Sequence, residues 1–276
     1  MINKRRLIST FKELVRIDSP PLRERAVFKY VRRQLRAMGF TPREAGRPRG
    51  GEVGSLIAYI PGNRSNRHCI MLNAHIDTVA PGHNIRPITR GGYIQTDGST
   101  ILGADNKAGV AAILEVLRSI KQDRIEHPPL LIIFTVAEEI GLAGAKVLPD
   151  QVMKADFGLT LDGGDIDTVI NQAPSQYSLT ARIIGKAAHA GIHPEQGINA
   201  IKVASEAIAQ MRIGRIDSET TANIGVISGG TATNIIPEEV ELKGEARSHN
   251  PKKLDRQVAH MEKTLLAACH KHKARV

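Results

Sequence analysis

The chain has 276 residues, of which 41% are hydrophobic and 3% aromatic, so it can bury a sizeable aliphatic core in one large domain or two ordinary ones. None of its apolar runs approaches the ~20 residues of a membrane-spanning helix. The N-terminus lacks the apolar core of a secretory signal, and two cysteines make no disulfide framework. These features predict a soluble, cytoplasmic protein with no membrane partner.

The net charge of +10 arises entirely in residues 1–50, which hold 14 basic and 4 acidic residues. A basic patch that binds nucleic acid is one interpretation. Solvated helix faces that aid solubility are the other. The sequence contains no nucleic-acid-binding motif, so it favours solvated faces and predicts no nucleic-acid partner.

The first half of the chain alternates predicted helices with apolar strands. An amphipathic N-terminal helix places Leu7, Phe11, Leu14 and Val15 on one face, and a second helix runs to Met38, where Gly39 is a suitable C-cap. Apolar runs predict strands at 55–60, 69–74, 129–137 and 157–162, and helices are expected at 103–120 and 141–148. Continuous apolar strands between helices are typical of a mostly parallel α/β sheet that is buried on both faces.

The pattern changes after about residue 172. Alternating polar and apolar residues predict strands at 176–186, 221–228 and 239–248, with helices at 197–212 and 252–272. This order is that of a ferredoxin-like βαββαβ unit without its last strand. We therefore expect two domains, residues 1–172 and residues 173–276.

Metal-competent side chains stand where the predicted strands of the first domain end. His75 and Asp77 follow one strand, Glu138 and Glu139 follow the next, and Asp162 ends the third. Each has a simpler interpretation on its own, as a solvated strand exit or the start of a turn. Together they indicate a site, because ligands in open α/β folds gather at the carboxyl ends of strands.

Asp105 lies between the first two of these strands, in GADNKAG, and could cap a helix or join the same site. One histidine among several carboxylates suits Zn²⁺, with Mn²⁺ or Co²⁺ as alternatives. Of the adjacent glutamates, one would ligate and the other would act as a base, and Asp77 would orient His75. The pattern predicts a metal centre that activates water for hydrolysis.

The chain as a whole resembles the peptidase T-like (tripeptidase-like) branch of the di-zinc metallopeptidase family that also contains aminoacylase, carboxypeptidase G and acetylornithine deacetylase. The resemblance rests on a set of segments in a fixed order: NAHIDTV, GADNKAG, TVAEEIGLAGAK, ADFGLTLDGG, GKAAHAGIHPEQGINAI, GRIDSETTANIG, TNIIP and GEARSHN. It implies a zinc-exopeptidase-type catalytic domain with an inserted ferredoxin-like lid and dimerisation domain, and hence a homodimer.

The resemblance also implies roles for individual residues. His75 and Asp162 would bind one metal ion, Glu139 would bind the second, and Asp105 would bridge the two. Asp77 would orient His75, and Glu138 would be the general base. In the lid, His189 would support the oxyanion across a dimer interface, while Asn234 and Arg247 would hold the substrate carboxylate; without the resemblance, His189 and Arg247 would be interpreted as ordinary exposed residues.

One departure from the family pattern concerns its further metal-binding histidine near the C-terminus. His270 and His272 lie in a basic helix end at the wrong place in the fold, and neither is assigned the role. The sequence therefore predicts that both domains lack their C-terminal parts and that the chain has little or no peptidase activity.

The expected function of the predicted site is metal-dependent hydrolysis of short peptides, in the manner of a tripeptide aminopeptidase, at a level that the missing histidine lowers in this chain. Carboxypeptidase or N-acyl amino acid deacylase activity by the same residues is one alternative. An inactive fragment that retains only the dimerisation role is another, and nucleic-acid binding through the basic N-terminal region is a third.

Overall fold

The computed structural model describes residues 1–64, 68–163 and 165–276. No helix in this part of the chain combines the length and the apolar character that crossing a membrane requires.

The chain divides into two compact units, Met1–Ile166 and Asp167–Val276. The predicted boundary, after residue 172, lies slightly later in the chain. Each unit has a hydrophobic core of its own, so each is described separately.

The first unit is an α/β structure built on a five-stranded sheet. Its helices are α1 (Lys4–Val15), α2 (Arg25–Ala37), α3 (Ala104–Asp123) and α4 (Ala143–Lys146). Its strands are β1 (Arg43–Ala45), β2 (Ser55–Ile60), β3 (Ile70–His75), β4 (Ile88–Arg90), β5 (Tyr93–Gln95), β6 (Leu130–Thr135) and β7 (Phe157–Thr160). The sequence did not predict β1 or the separate β4–β5 hairpin, because three-residue strands are too short to show a clear alternation.

The sheet has the order β1-β2-β6-β3-β7, and the half that carries the polar strand ends is parallel. Strand β3 is parallel to both β6 and β7, whereas the β1–β2 and β2–β6 pairs are antiparallel. His75 pairs with Thr135 across β3 and β6, and Asn73 pairs with Thr160 across β3 and β7. The carboxyl ends of all three parallel strands therefore meet at one edge of the sheet.

The main core lies where helices pack on the sheet. Phe11, Leu14 and Val15 of α1 are buried, as the N-terminal pattern predicts, and Leu7 packs against them. All six residues of β6 are buried, because cores lie on both of its faces. Burying one such large aliphatic side chain contributes about 1.5–3 kcal/mol to folding.

The prediction that every strand of this sheet is buried is wrong for β7. This strand is exposed, although its apolar sequence predicts a buried strand. It lies at the end of the sheet order, with Phe157 and Leu159 exposed by 62% and 54%. A strand with one neighbour leaves its other side open. Apolar composition alone does not distinguish this position from a central one.

The second unit has the predicted order of strand, helix, strand, strand and helix. Its elements are β8 (Ser175–Ile184), α5 (Ala200–Gln210), the two-residue β9 (Gly214–Arg215), β10 (Thr220–Gly229), β11 (Glu239–Ser248) and α6 (Pro251–Lys271). The antiparallel sheet has the order β8-β11-β10-β9, and both helices contribute to its core. Asn250 caps α6 by accepting the N–H groups of Lys252 and Lys253, which confirms the predicted start of this helix.

Arg275 forms one antiparallel bridge with Ile184 of β8. The two residues exchange both backbone hydrogen bonds, each of 2.8 Å. This is the side of β8 on which a ferredoxin-like unit places its last strand.

Candidate metal centre

Three parallel strand ends and one helix start build the site. His75 is the last residue of β3 and is buried, while Glu138 and Glu139 follow β6 and are half-buried. The pairing of β7 with β3 continues to Leu161, whose N–H donates to the Asn73 carbonyl, and this places Asp162 beside the same edge.

Asp105 joins this group from the start of α3. The chain enters the helix through Gly103, which has a left-handed φ of +70° that glycine adopts without steric cost. The carboxylate of Asp105 does not cap the helix; its Oδ1 atom lies 3.0 Å from Nε2 of His75. The structure thus favours the site interpretation of Asp105 over the capping interpretation.

Asp77 contacts both the imidazole and the loop that follows β6. Nδ1 of His75 lies 3.0 Å from the Asp77 carbonyl oxygen and 3.3 Å from its carboxylate. The two carboxylate oxygens accept the N–H groups of Glu138 and Glu139 at 3.0 and 3.1 Å. With Nδ1–H directed at Asp77, the lone pair of Nε2 faces the carboxylate cluster, as metal ligation requires.

The candidate ligand atoms form two groups that share His75. Within each group, all the ligand atoms lie within 4.8 Å of one another. One group contains His75, Asp105 and Glu139, and the other contains His75, Glu138 and Asp162. All five predicted residues therefore come together, and His75 is the one histidine in these groups within the described ranges. The grouping differs from the implied roles, because Glu138 lies as close to His75 and Asp162 as a ligand would.

The carboxyl groups of the site repel one another. Burial raises the pKa of Glu138, of Glu139 and of Asp162, and the charges of neighbouring carboxylates raise these pKa values further, against the opposing effect of His75. Burial lowers the pKa of His75, but Asp77 and Asp105 outweigh it and raise the value to about 9. One imidazole cannot balance this charge, so the donor set fits divalent cations with nitrogen and oxygen ligands.

The three substrate-contact residues predicted in the second unit lie in two separate regions of that unit. His189 bridges Ile235, and the Ala190 N–H donates to the Asn234 carbonyl, so His189 and Asn234 lie on adjacent segments. Arg247 pairs with Gln176 at the opposite end of β8 and β11, eight residues or about 26 Å of strand from Glu239, where β11 begins.

Arg247 and His189 differ in what their side chains contact. The Arg247 guanidinium donates to both carboxylate oxygens of Glu245, at 2.8 and 3.0 Å. Nδ1 of His189 accepts the Gly191 N–H at 3.1 Å, so the proton of a neutral ring lies on Nε2. His189 can therefore donate a hydrogen bond through Nε2.

Two buried charged residues beside the site were not singled out from the sequence. Lys107 donates to the Ile17 carbonyl at 2.6 Å, and burial lowers its pKa to about 8 against the opposing charges of Asp18 and Asp77. Glu24 accepts the N–H of Ala137, immediately before the glutamate pair. The position of Lys107 inside the glycine-bounded GADNKAG segment is a weak sequence signal that it lies near the site. Glu24 gives no such signal, because it stands in a charged stretch that resembles an exposed helix start.

Two family models match the chain, one within the second unit and one across the boundary between the units. Residues 175–273 match the model of the peptidase dimerisation domain, and residues 97–189 match the model of M42 glutamyl aminopeptidase.

Three relatives span most or part of the chain. The uncharacterized protein YqjE of Bacillus subtilis (strain 168) is 44% identical over 265 residues, covering 95% of this chain and 71% of the relative. Peptidase T of Haemophilus influenzae (strain PittGG) is 29% identical over 203 residues, covering 62% of this chain and 49% of the relative. A crystal structure of a tripeptidase from Staphylococcus aureus subsp. aureus Mu50 superposes with a TM-score of 0.96 at 41% identity, covering 100% of this chain and 74% of that one. The match thus spans about half the length of the Peptidase T relative and about three quarters of the tripeptidase.

Proposed function

Because this chain belongs to the peptidase T-like branch of the M20 metallopeptidase family, we propose that it hydrolyses short peptides, as a tripeptide aminopeptidase does. The observation that supports this most is the meeting of His75 with the carboxylates of Asp105, Glu138, Glu139 and Asp162 at one sheet edge. A single strand end would not create such a cluster, whereas three parallel strands and a helix start converge on it.

The proposed cofactors are two divalent ions, Zn²⁺ in the first place, with Mn²⁺ or Co²⁺ as alternatives. His75, Asp105, Glu139 and Asp162 would hold them. Bound there, such ions polarise a peptide carbonyl and lower the pKa of a water molecule.

Residues of the chain orient the histidine ligand and transfer the proton. Asp77 holds the Nδ1 side of His75, so that Nε2 is presented to the site. Glu138 takes a proton from the attacking water and delivers it to the leaving amine. Its backbone N–H is fixed by Asp77, which limits the directions that its carboxylate can take.

In the second unit, His189 is proposed to donate to the developing oxyanion, and Asn234 and Arg247 to contact the substrate carboxylate. About 26 Å of β11 separates Arg247 from Glu239, the strand end nearer in sequence to Asn234, and this span exceeds the ~11 Å length of an extended tripeptide. We therefore propose a homodimer in which these contacts come from different protomers.

The test is a substrate panel with the purified chain and added Zn²⁺, Mn²⁺ or Co²⁺. A tripeptide, its N-acetylated form, its C-terminal amide and an N-acyl amino acid distinguish the related activities. An aminopeptidase cleaves the free tripeptide and not the N-acetylated one, and Glu138→Gln prepared in parallel reports any contaminating peptidase.

Two results would contradict this proposal. Cleavage that prefers N-acyl amino acids, or that ignores N-acetylation, would indicate the deacylase or carboxypeptidase alternative. Metal binding without hydrolysis of any member of the panel would favour an inactive fragment.

A further inference from the structure

Glu24 is a buried carboxylate for which the proposed mechanism has no use. Its side chain is 0% exposed, and its Oε1 atom accepts the N–H groups of Leu22 and Ala137, both at 2.9 Å. Its Oε2 atom has no hydrogen-bond partner in the described part of the chain. Glu24 stands at the N-cap position of α2, yet its side chain makes no capping bond there.

Ala137, whose N–H donates to Glu24, lies immediately before the glutamate pair of the metal centre. Ala137 connects the end of β6 to Glu138, and its φ of +51° falls in the left-handed region that residues with a Cβ atom rarely adopt. A backbone in this region persists when surrounding contacts hold it. The hydrogen bond from Ala137 to Glu24 is such a contact, made across 113 residues of sequence.

Three consecutive backbone amides in this loop are held by two buried carboxylates. Glu24 accepts the first, from Ala137, and Asp77 accepts the next two, from Glu138 and Glu139. The carbonyls of Ala137 and Glu138 accept N–H groups of the turn that follows, at 2.8–3.0 Å. The backbone that directs both glutamate side chains is thereby fixed at each end.

Fold stability alone explains the choice of a carboxylate poorly. Burial raises the pKa of Glu24, and the charge of Asp77 adds to the effect. A buried carboxylate with one unpaired oxygen costs free energy that an apolar residue would avoid. In return, its Oε1 atom accepts two backbone amides at once, those of Leu22 and Ala137, at a reach that a shorter side chain does not have.

We propose that Glu24 is a positioning residue of the metal centre, which fixes the directions of the Glu138 and Glu139 carboxylates by accepting the Ala137 N–H. The inference rests on the proposed function of this site. It assigns no contact between Glu24 and the metal ions or the substrate.

The experiment compares Glu24→Asp and Glu24→Gln in the full chain, with Co²⁺ as the probe. Aspartate keeps the charge but withdraws the oxygens by about 1.5 Å, the length of one C–C bond. It should weaken Co²⁺ affinity about 10–100-fold, as loss of outer contacts to a metal ligand does. Glutamine keeps an acceptor oxygen at the original length, so its Co²⁺ affinity should stay within about threefold of wild type by the same comparison.

Peptide hydrolysis gives a second readout. In Glu24→Asp we expect kcat to fall by roughly 10²-fold, because displacement of a catalytic group by ~1 Å has effects of this size. KM should change little, since Glu24 lies behind the loop and is buried.

Glu115→Asp is the matched control. Glu115 is also a buried glutamate of the first unit, and it accepts a backbone N–H, that of Asn3, at 2.7 Å. It lies on α3 about 15 Å beyond Asp105, at ~1.5 Å per residue. Its variant should lower Tm while leaving Co²⁺ affinity and kcat per metal-loaded chain unchanged.

Several outcomes would overturn the inference. Glu24 would have a purely structural role if Glu24→Asp bound Co²⁺ with wild-type affinity, or if Glu115→Asp weakened Co²⁺ binding equally. The acceptor oxygen would not be what matters if Glu24→Gln lost as much Co²⁺ affinity as Glu24→Asp. A wild-type chain that binds no Co²⁺ would overturn it together with the proposed function. If wild type binds Co²⁺ but cleaves no peptide, only the proposed function fails, and the affinities still decide the role of Glu24.

Discussion

His75 is the residue that carries the most charge interactions in the centre. Its Nδ1 side faces Asp77, and its Nε2 side faces Asp105 at 3.0 Å and Glu138 at 3.9 Å. Burial lowers the pKa of His75, but Asp77 on the Nδ1 side and then Asp105 on the Nε2 side outweigh burial and raise the value to about 9.

The raised pKa of His75 predicts how the metal-free chain responds to pH. The folded state binds this proton more tightly than the unfolded state, whose histidine has the ordinary value of 6.5. The resulting stabilisation is complete below pH 6.5 and is lost as the pH rises through about 9. The Tm of chelator-treated protein should therefore fall across this window.

His75→Gln is the control for this measurement, because glutamine does not titrate there. The variant should lose the part of the Tm slope that belongs to His75. An unchanged slope in His75→Gln, or a wild-type Tm that rises between these pH values, would contradict the prediction.

The assignment of Glu138 as base and Glu139 as ligand is a prediction at the same scale. Glu138→Gln should retain the metal content of wild type, while kcat falls by ~10²–10⁴, the usual effect of removing a general base. Elemental analysis and steady-state kinetics measure the two quantities. Glu139→Gln should instead lose metal; a loss of metal in Glu138→Gln would make Glu138 a ligand, as its closeness to His75 and Asp162 permits.

At the scale of elements, strand β7 combines a structural role with an exposed surface. One side of β7 pairs with β3 and helps to bring Asp162 to the centre. Its other side carries no strand among those that the structure describes, and Phe157 and Leu159 are more than half exposed. Open edges with apolar side chains favour association between copies of a chain.

Leu159→Lys should therefore reduce self-association without lowering Tm. A charge on an edge strand opposes edge-to-edge pairing, and a lysine at 159 can keep its aliphatic stem on the buried part of the leucine position, because 54% of Leu159 is exposed. Light scattering at increasing protein concentration measures the effect. Tyr59→Lys is the comparison, since Tyr59 is 58% exposed on β2, a strand with neighbours on both sides; an equal reduction in both variants would show that edge position is unimportant.

At the scale of the whole molecule, the second unit separates its predicted substrate contacts. His189 and Asn234 lie beyond one end of the antiparallel sheet, and Arg247 lies near the other. A homodimer with two equivalent sites offers a way for both places to serve one substrate.

Mixing two impaired variants tests this arrangement. His189→Ala and Arg247→Ala should each lose most of the peptidase activity when assayed alone. After subunit exchange, half of the dimers contain one chain of each kind, with one intact site in two, so about a quarter of wild-type activity should return. If the mixture stays as inactive as its components, the residues act within one protomer or have no role in catalysis.

Much of the architecture could be predicted from the sequence because it depends on local pattern. The apolar runs at β3 and β6 and the alternating residues of β8, β10 and β11 predicted strands that the structure contains. The convergence of His75, Glu138, Glu139 and Asp162 was also predictable, because neighbouring parallel strands end at the same sheet edge.

What the sequence determined by itself is the order of the longer helices and strands, the family and the residue types at the strand ends. Only the tertiary structure decided that Glu24 holds Ala137, that Asp77 holds two further amides, that β7 is exposed, and that Arg247 lies far from His189. The physical reason is that periodicity reports which face of an element is apolar, but not which distant residue packs against it. Glu24 shows this most clearly, because a glutamate between two arginines has the pattern of a solvated helix start and is nevertheless fully buried.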